Sequence, residues 1–241
     1  MHIPDGYLGP TTFIVMYLIM IPIWLYAGYW VQKSLRSRQV PYLALGAAFS
    51  FVIMMFNVPV PGGSSGHAVG SALVGIVLGP WAAVVTTSCA LLIQCLIFGD
   101  GGVTAFGANC FNMGTVIPFV GYYTYKLISG KSEITSNLRI AAAGIGGYLG
   151  LAVASGVAGF EMGIQPILEH TASGTPLYMP YGLNVTVPAM LIDHMGFFCW
   201  VELIITALGF AYIAKNSPEV IFDYKPDTAK KPDVSKGVPA L

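Results

Sequence analysis

What this sequence has least of is charge. Asp, Glu, Lys and Arg make up only 9% of its 241 residues, against 55% hydrophobic, and mean hydropathy is +0.71. Soluble domains carry roughly a quarter charged residues, so a soluble domain is excluded. Eleven cations balance eleven anions, which offers no electrostatic handle for nucleic acid. The four cysteines, Cys89, Cys95, Cys110 and Cys199, form no C-x-x-C pair and lie in or beside apolar runs. They read as packing thiols, with soft metal ligation or a disulfide as alternatives. No Lys or Arg precedes the first apolar run, so MHIPDG is a poor start for a removable signal peptide. Bulky His2 also disfavours trimming of Met1, and the mature chain is expected to begin at Met1. Neither a G-x-x-x-x-G-K-[ST] phosphate loop nor an H-E-x-x-H zinc motif is present, so no covalent chemistry is expected.

What the sequence does have is apolar runs of bilayer length, about 20 residues each. Unpaired backbone cannot face lipid, and the runs are too long for barrel strands, so the fold class is an all-α membrane protein. Seven transmembrane helices fit best, over about 10–31, 40–56, 66–79, 80–98, 108–128, 139–162 and 184–214. The short third and the fourth are separated only by Gly79-Pro80. With seven spans, all eleven cations fall on one side: Lys33, Arg36 and Arg38; Lys126, Lys131 and Arg139; and Lys215, Lys225, Lys230, Lys231 and Lys236. The positive-inside rule makes that side cytoplasmic and places the N-terminus outside. The domain reading is a single transmembrane unit over 1–215, opening with an N-terminal arm at 1–9, followed by a disordered cytoplasmic tail at 216–241.

Small residues recur every fourth position at Ala44 and Ala48, at Ser71, Gly75 and Gly79, and along Gly146, Gly150, Ala154 and Ala158. Such ridges let helices approach closely in lipid, either inside this subunit or against another membrane protein.

The polar groups on the outer side carry the chemistry. In an H2N-Xaa-His start, the terminal amine, the deprotonated His2 amide nitrogen and the His2 Nδ1 close two fused chelate rings in one plane. One corner stays open. His67, expected in the first turn of the third span with Ser64 or Ser65 as N-cap, can fill it, because a helix N-terminus favours neutral imidazole. Four nitrogens in a plane suit Ni(II) or Cu(II), with Co(II) possible. Pro4 stiffens the arm. The alternative is a pair of histidines without a shared partner. Asp100 reads as an Asx turn or a group at the metal mouth. Asn109, Asn112 and Gln94 read as groups orienting ligands or pairing with backbone. His170 reads as an exposed loop residue or a first-encounter ligand. Asp193, His194 and Glu202 are intramembrane ionisable residues, read as a functional relay or an internal hydrogen-bonded cluster.

Three stretches, MHIPDGYLGP at the start, PVPGGSSGHAVG at 59–70, and LGPWAA followed by FGDGGVTAFGANCFNMG, resemble the cobalt/nickel substrate-binding membrane subunits of energy-coupling-factor transporters, the CbiM/NikM type. The likeness covers the whole chain apart from the tail. It implies a seven-helix bacterial or archaeal cell-membrane S component that captures Ni2+ or Co2+ as transported substrate through the Met1 amine, His2 and His67. Ser65, Asp100 and Asn109 then stand behind the ligands. The resemblance also implies a membrane coupling (T) protein, docked on the Ala44-x-x-x-Ala48 face, separate cytoplasmic ATPases, and a small companion membrane protein. Where the family carries a glycine-rich H-x-x-I-G-x-G-E-G run, this chain reads HMGFFCWVEL. The rival reading is a proton-coupled secondary transporter using Asp193, His194 and Glu202.

Overall fold

The structure, a computed structural model, describes residues 1–34, 40–60 and 64–224. It is mostly helical. Helix α1 (Pro10–Ser34) starts on a proline, whose fixed φ and missing N–H suit a first helical position. It is apolar on all sides, and only Met16, Met20 and Ala27 among its residues are buried. A helix greasy all round with its surface unpacked is a helix facing lipid. Helix α2 (Val40–Met54) is similar but shorter.

The Pro/Gly/Ser segment after α2 is not the open loop its composition predicts. Strand β1 (Val58–Val60) pairs antiparallel with β2 (Ser64–Gly66), setting Val58 opposite Gly66 and Pro59 opposite Ser65. Helix α3 (Ser71–Leu78) follows, entirely buried, and at eight residues rises only about 12 Å. His67 therefore precedes the helix and does not sit in its first turn. Gly70, with φ 74°, occupies the N-cap, so neither Ser64 nor Ser65 caps it. Both serines are committed to the hairpin instead. Gly79 (φ 93°) ends α3, and Pro80 starts α4 (Pro80–Phe98) at once, as the Gly-Pro pair predicts.

Helix α5 covers 106–129, α6 covers Asn137–Leu168 and α7 covers Leu183–Asn216. Four helices, α1, α4, α6 and α7, are long and apolar enough to cross a membrane, which makes this a multi-pass membrane protein. The glycine ridge of α6 packs within the chain. A Cβ at Gly146 would run into the Gly121 carbonyl, and one at Gly150 into the Ile117 carbonyl, both on α5. Small residues here let backbones touch.

Three helices change winding. Wider π turns occupy Gln94–Phe98 of α4, Cys110–Val116 of α5 and His194–Phe198 of α7. Such turns accompany functional sites because they redirect side chains and loosen the carbonyl ladder. The chain just after α7 packs back: Pro218–Val220 forms a 3-10 turn, Val220 and Ile221 are buried, and the Phe222 N–H donates to the Val77 carbonyl at 2.8 Å. Most of the expected tail, from 225 on, and the cations Arg36, Arg38, Lys225, Lys230, Lys231 and Lys236 lie outside the described residues. Cys95, Cys110 and Cys199 are buried and Cys89 is exposed, all as free thiols.

Candidate metal site

The first three residues run inward, contrary to the usual behaviour of a chain end, and after exposed Asp5 and Gly6 the chain is buried again at Leu8 and Gly9. Met1 and Ile3 are fully buried and His2 is 3% exposed. Side chains from the helices hold this arm as if they were a neighbouring strand. The Ile3 N–H donates to Asn109 Oδ1 at 2.9 Å, and the Asn109 Nδ2 returns a bond to the Ile3 carbonyl at 3.0 Å. The Gly102 N–H adds a second bond to that carbonyl at 2.9 Å. Asp5 accepts from the backbone N–H groups of Val103 and Thr104, and the Gly9 N–H donates to Gln165 Oε1 at 2.9 Å. The GDGG loop is glycine-rich because the arm lies on it. A Cβ at Gly102 would strike the Asp5 backbone, and one at Gly101 (φ 88°) would press on the His2 ring and the Asn109 amide.

The hairpin brings the second half. Ser65 Oγ accepts from the Met1 amine at 3.1 Å and from the His2 N–H at 3.3 Å, while Ser64 Oγ donates to the His2 carbonyl at 3.2 Å. His67 follows β2 directly and is fully buried, its ring centroid 4.6 Å from that of His2 with the planes 32° apart.

Hydrogen-bond partners fix the tautomers. His2 Nε2 lies 3.3 Å from Gln94 Oε1, an acceptor, so Nε2 carries the hydrogen and Nδ1 keeps a lone pair. His67 Nδ1 lies 3.0 Å from the Ala68 carbonyl, so there the hydrogen is on Nδ1 and Nε2 keeps the lone pair. Both of these free nitrogens, His2 Nδ1 and His67 Nε2, are buried without any hydrogen-bond partner. Asp100 Oδ1 stands 3.5 Å from His2 Nδ1, yet no hydrogen bond joins them and the neutral ring makes no ion pair. Buried polar atoms are rarely left unpaired without a reason.

Electrostatics keep the nitrogens neutral. Burial pulls the Met1 amine from 8.0 down to about 4, against the pull of the Asp100 and Asp193 carboxylates. Burial, and then the neighbouring amine, lowers His2 to about 3. Burial, the amine and the His2 ring together hold His67 well below the usual imidazole range. Burial raises Asp100, offset by the amine and by a hydrogen bond from Asn57. Among the described residues no three His, Cys, Asp or Glu side chains gather as ligands. Beside the two imidazoles, the nitrogens at this place are the Met1 amine and the His2 main-chain N–H, both held by Ser65 Oγ.

The remaining candidates separate. Both Glu202 oxygens face the start of α3: Oε2 accepts from the Val69 and Gly70 N–H groups at 2.7 and 2.9 Å, so this residue supplies the acceptor that Ser64 and Ser65 do not. His194 Nδ1 lies 2.9 Å from the Met190 carbonyl and 3.4 Å from Asp193 Oδ2. Asp193, His194 and Glu202 therefore form no single hydrogen-bonded cluster. His170 is exposed and bridges to Pro176. Ala44 and Ala48 are exposed on α2. Asn112 bonds Glu161 at 2.7 Å. Asp5 and Gln165, which hold the arm, and Glu161, which holds Asn112, were not singled out in the sequence. Of these, Glu161 carried the clearest signal, a carboxylate inside an apolar run.

Residues 2–220 match the family described as the cobalt uptake substrate-specific transmembrane region. The probable fused nickel transport protein LarMN of Lactiplantibacillus plantarum is 46% identical over 224 residues, which is 92% of this chain and 67% of that protein. The fused nickel transport protein NikMN of Rhodobacter capsulatus is 47% identical over 92% of this chain and 64% of its own length. The chain thus spans about two thirds of each fused relative. A putative metal transport protein of Methanocaldococcus jannaschii is 46% identical over 98% of both chains. A crystal structure of a truncated transition metal transporter superposes with a TM-score of 0.85 and 48% identity, covering 89% of this chain and 99% of that one. These relatives are named as transport proteins and not as enzymes. The chain is a multi-pass member of the CbiM family, the substrate-specific transmembrane regions of cobalt uptake.

Proposed function

We propose that this protein captures Ni2+, or Co2+, at the outer face of the cell membrane for an ATP-driven uptake transporter of the energy-coupling-factor type. The ion sits among the Met1 amine, the His2 amide nitrogen, His2 Nδ1 and His67 Nε2. The observation that carries the reading is the pair of buried, partnerless nitrogens on His2 and His67, 4.6 Å apart ring to ring beside the buried Met1 amine. All three groups are already in the protonation state a metal requires. Only the His2 amide must still lose its hydrogen, and a planar field of four nitrogens stabilises Ni(II) enough to drive that loss. Ser65, which now accepts from both arm nitrogens, gives up those two bonds when the ion arrives. Gln94 and the Ala68 carbonyl hold the two rings in the tautomers that ligation needs. Asn109 fixes the arm one residue beyond the chelate.

Seven membrane crossings, with the arm outside and the chain after α7 inside, follow from the segregation of all cations to one side. The exposed Ala44–Ala48 face of α2 is the docking surface for the coupling protein. Cytoplasmic ATPases and a small companion membrane component complete the assembly. The fused names of two relatives support such an assembly. Elemental analysis and an absorption spectrum of protein bearing its own Met1 test the proposal. One nickel per chain with the yellow band of planar amidate-bound nickel is expected; a metal-free, colourless protein after nickel loading overturns it. A proton-coupled secondary transporter is the rival. Uptake that persists without any partner ATPase and collapses with the proton gradient would establish it instead.

A further inference from the structure

The arm is held at two places by two different helices, and a buried carboxyl joins them. Asn109 of α5 grips Ile3, and Gln165 of α6 grips Gly9 through its Oε1. Gln165 is itself fully buried, and its Nε2 donates to the Glu161 carbonyl at 2.6 Å and to Thr12 Oγ1 at 2.8 Å. One turn from Asn109, Asn112 donates from Nδ2 to Glu161 Oε2 at 2.7 Å, across the α5–α6 interface. Glu161 is 5% exposed and Asn112 fully buried. Among the described residues no cation pairs with Glu161. Its other oxygen, Oε1, has no donor, and neither does Asn112 Oδ1.

An ionised carboxylate here would be a buried charge with no cation beside it among the described residues, and two acceptors would face no hydrogen. Both faults have one remedy. Burying an unpaired charge is far more costly than burying an acid that holds its proton. A hydrogen on Oε1 supplies the donor that Oδ1 lacks, and the planar acid and planar amide then share two hydrogen bonds in a closed ring. We propose that Glu161 is a neutral carboxylic acid paired in this way with Asn112, and that the ring is the crossbar tying together the two clamps on the metal-binding arm. Glu161 is thus a positioning residue for the amine–His2–His67 site. That second half rests on the proposed nickel site, while the protonation state does not.

Glutamine is the discriminating replacement, because its Nε2 donates where the acid hydrogen does and its Oε1 accepts where Oε2 does. Glu161→Gln should leave nickel affinity unchanged. Glu161→Leu should weaken it about tenfold or more, in the range seen when groups behind metal ligands are lost, and should speed hydrogen exchange at the Ile3 and Gly9 amides in metal-free protein. Infrared spectra at neutral pH should contain the carbonyl stretch of a protonated acid, absent from the Glu161→Gln variant. The proposal is overturned if that band is missing from the unmodified protein, or if glutamine weakens binding as much as leucine. Should the leucine variant not fold, the glutamine variant and the infrared band still decide. Should the unmodified protein bind no nickel, the functional reading fails, while infrared and exchange still judge the ring.

Discussion

The two ends of the helical bundle handle polar groups in opposite ways. At the arm end there is no Lys or Arg, and around Met1, His2 and His67 the polar atoms are buried, bonded to one another except for a few orphaned nitrogens and oxygens. At the other end Lys126, Lys131 and Arg139 surround an open cavity of about 580 Å3 together with Asp223 and Tyr224. There the cations reach ordinary partners: Arg139 donates to the Ser132 carbonyl at 2.8 Å and to the Tyr125 hydroxyl at 2.9 Å. The roomy end needs nothing further, whereas the arm end leaves three buried imidazole nitrogens, His2 Nδ1, His67 Nε2 and His194 Nε2, without a partner. Function is marked by unmet bonding capacity rather than by space.

The largest effect expected at the arm end is from His67→Ala. It removes a direct ligand, so nickel affinity should fall by more than the roughly 10–100-fold that follows loss of a group behind a ligand. Equilibrium dialysis with nickel measures this, and unchanged affinity would remove His67 from the site. Inserting one alanine after Met1 should change the ligand set rather than abolish it. The histidine then stands third, a second amide enters the plane, and the variant should hold nickel with no dependence on His67. Persisting dependence would count against the fused-ring geometry.

Asn109→Ala leaves the Ile3 N–H and carbonyl short of a partner and frees the arm. Nickel affinity should drop about 10–100-fold, with the absorption band of loaded protein unaltered in shape. Acid should act in the same direction. The Met1 amine falls from 8.0 to about 4 and His2 from 6.5 to about 3 on docking. Bases with lowered values bind more protons when undocked, so docking is most secure above pH 8 and is progressively lost as pH falls toward 4. Exchange protection at Ile3, followed from pH 8 to 5, should decline through that window. At the opposite end, Arg139→Gln should cost about 1 kcal/mol of stability through its hydrogen bonds and leave nickel affinity untouched. A change in affinity there would break the contrast between the two ends.

The proposed chelate could be written from the sequence because its donors are local: an amine, one amide and one imidazole within two residues. The helices were legible because lipid demands long apolar runs. The hairpin at 58–66 was not, since its glycines, prolines and serines read as a loop, and the pairing answers the arm laid beside it. Reading Ser64 or Ser65 as a helix cap failed for the same reason, as their hydroxyls are taken by Met1 and His2. The π turns escaped because an extra residue per turn leaves no trace in an apolar run without period. Gln165 escaped because its partner, Gly9, lies 156 residues away.

The most direct test of the shared site is to block the terminal nitrogen. Protein carrying its own Met1 and the same protein acetylated on that amine are loaded with nickel, and affinity and absorption are compared. Acetylation should abolish tight binding and the yellow band while the helices stay folded. Equal affinity in the acetylated protein, still dependent on His67, would contradict the account.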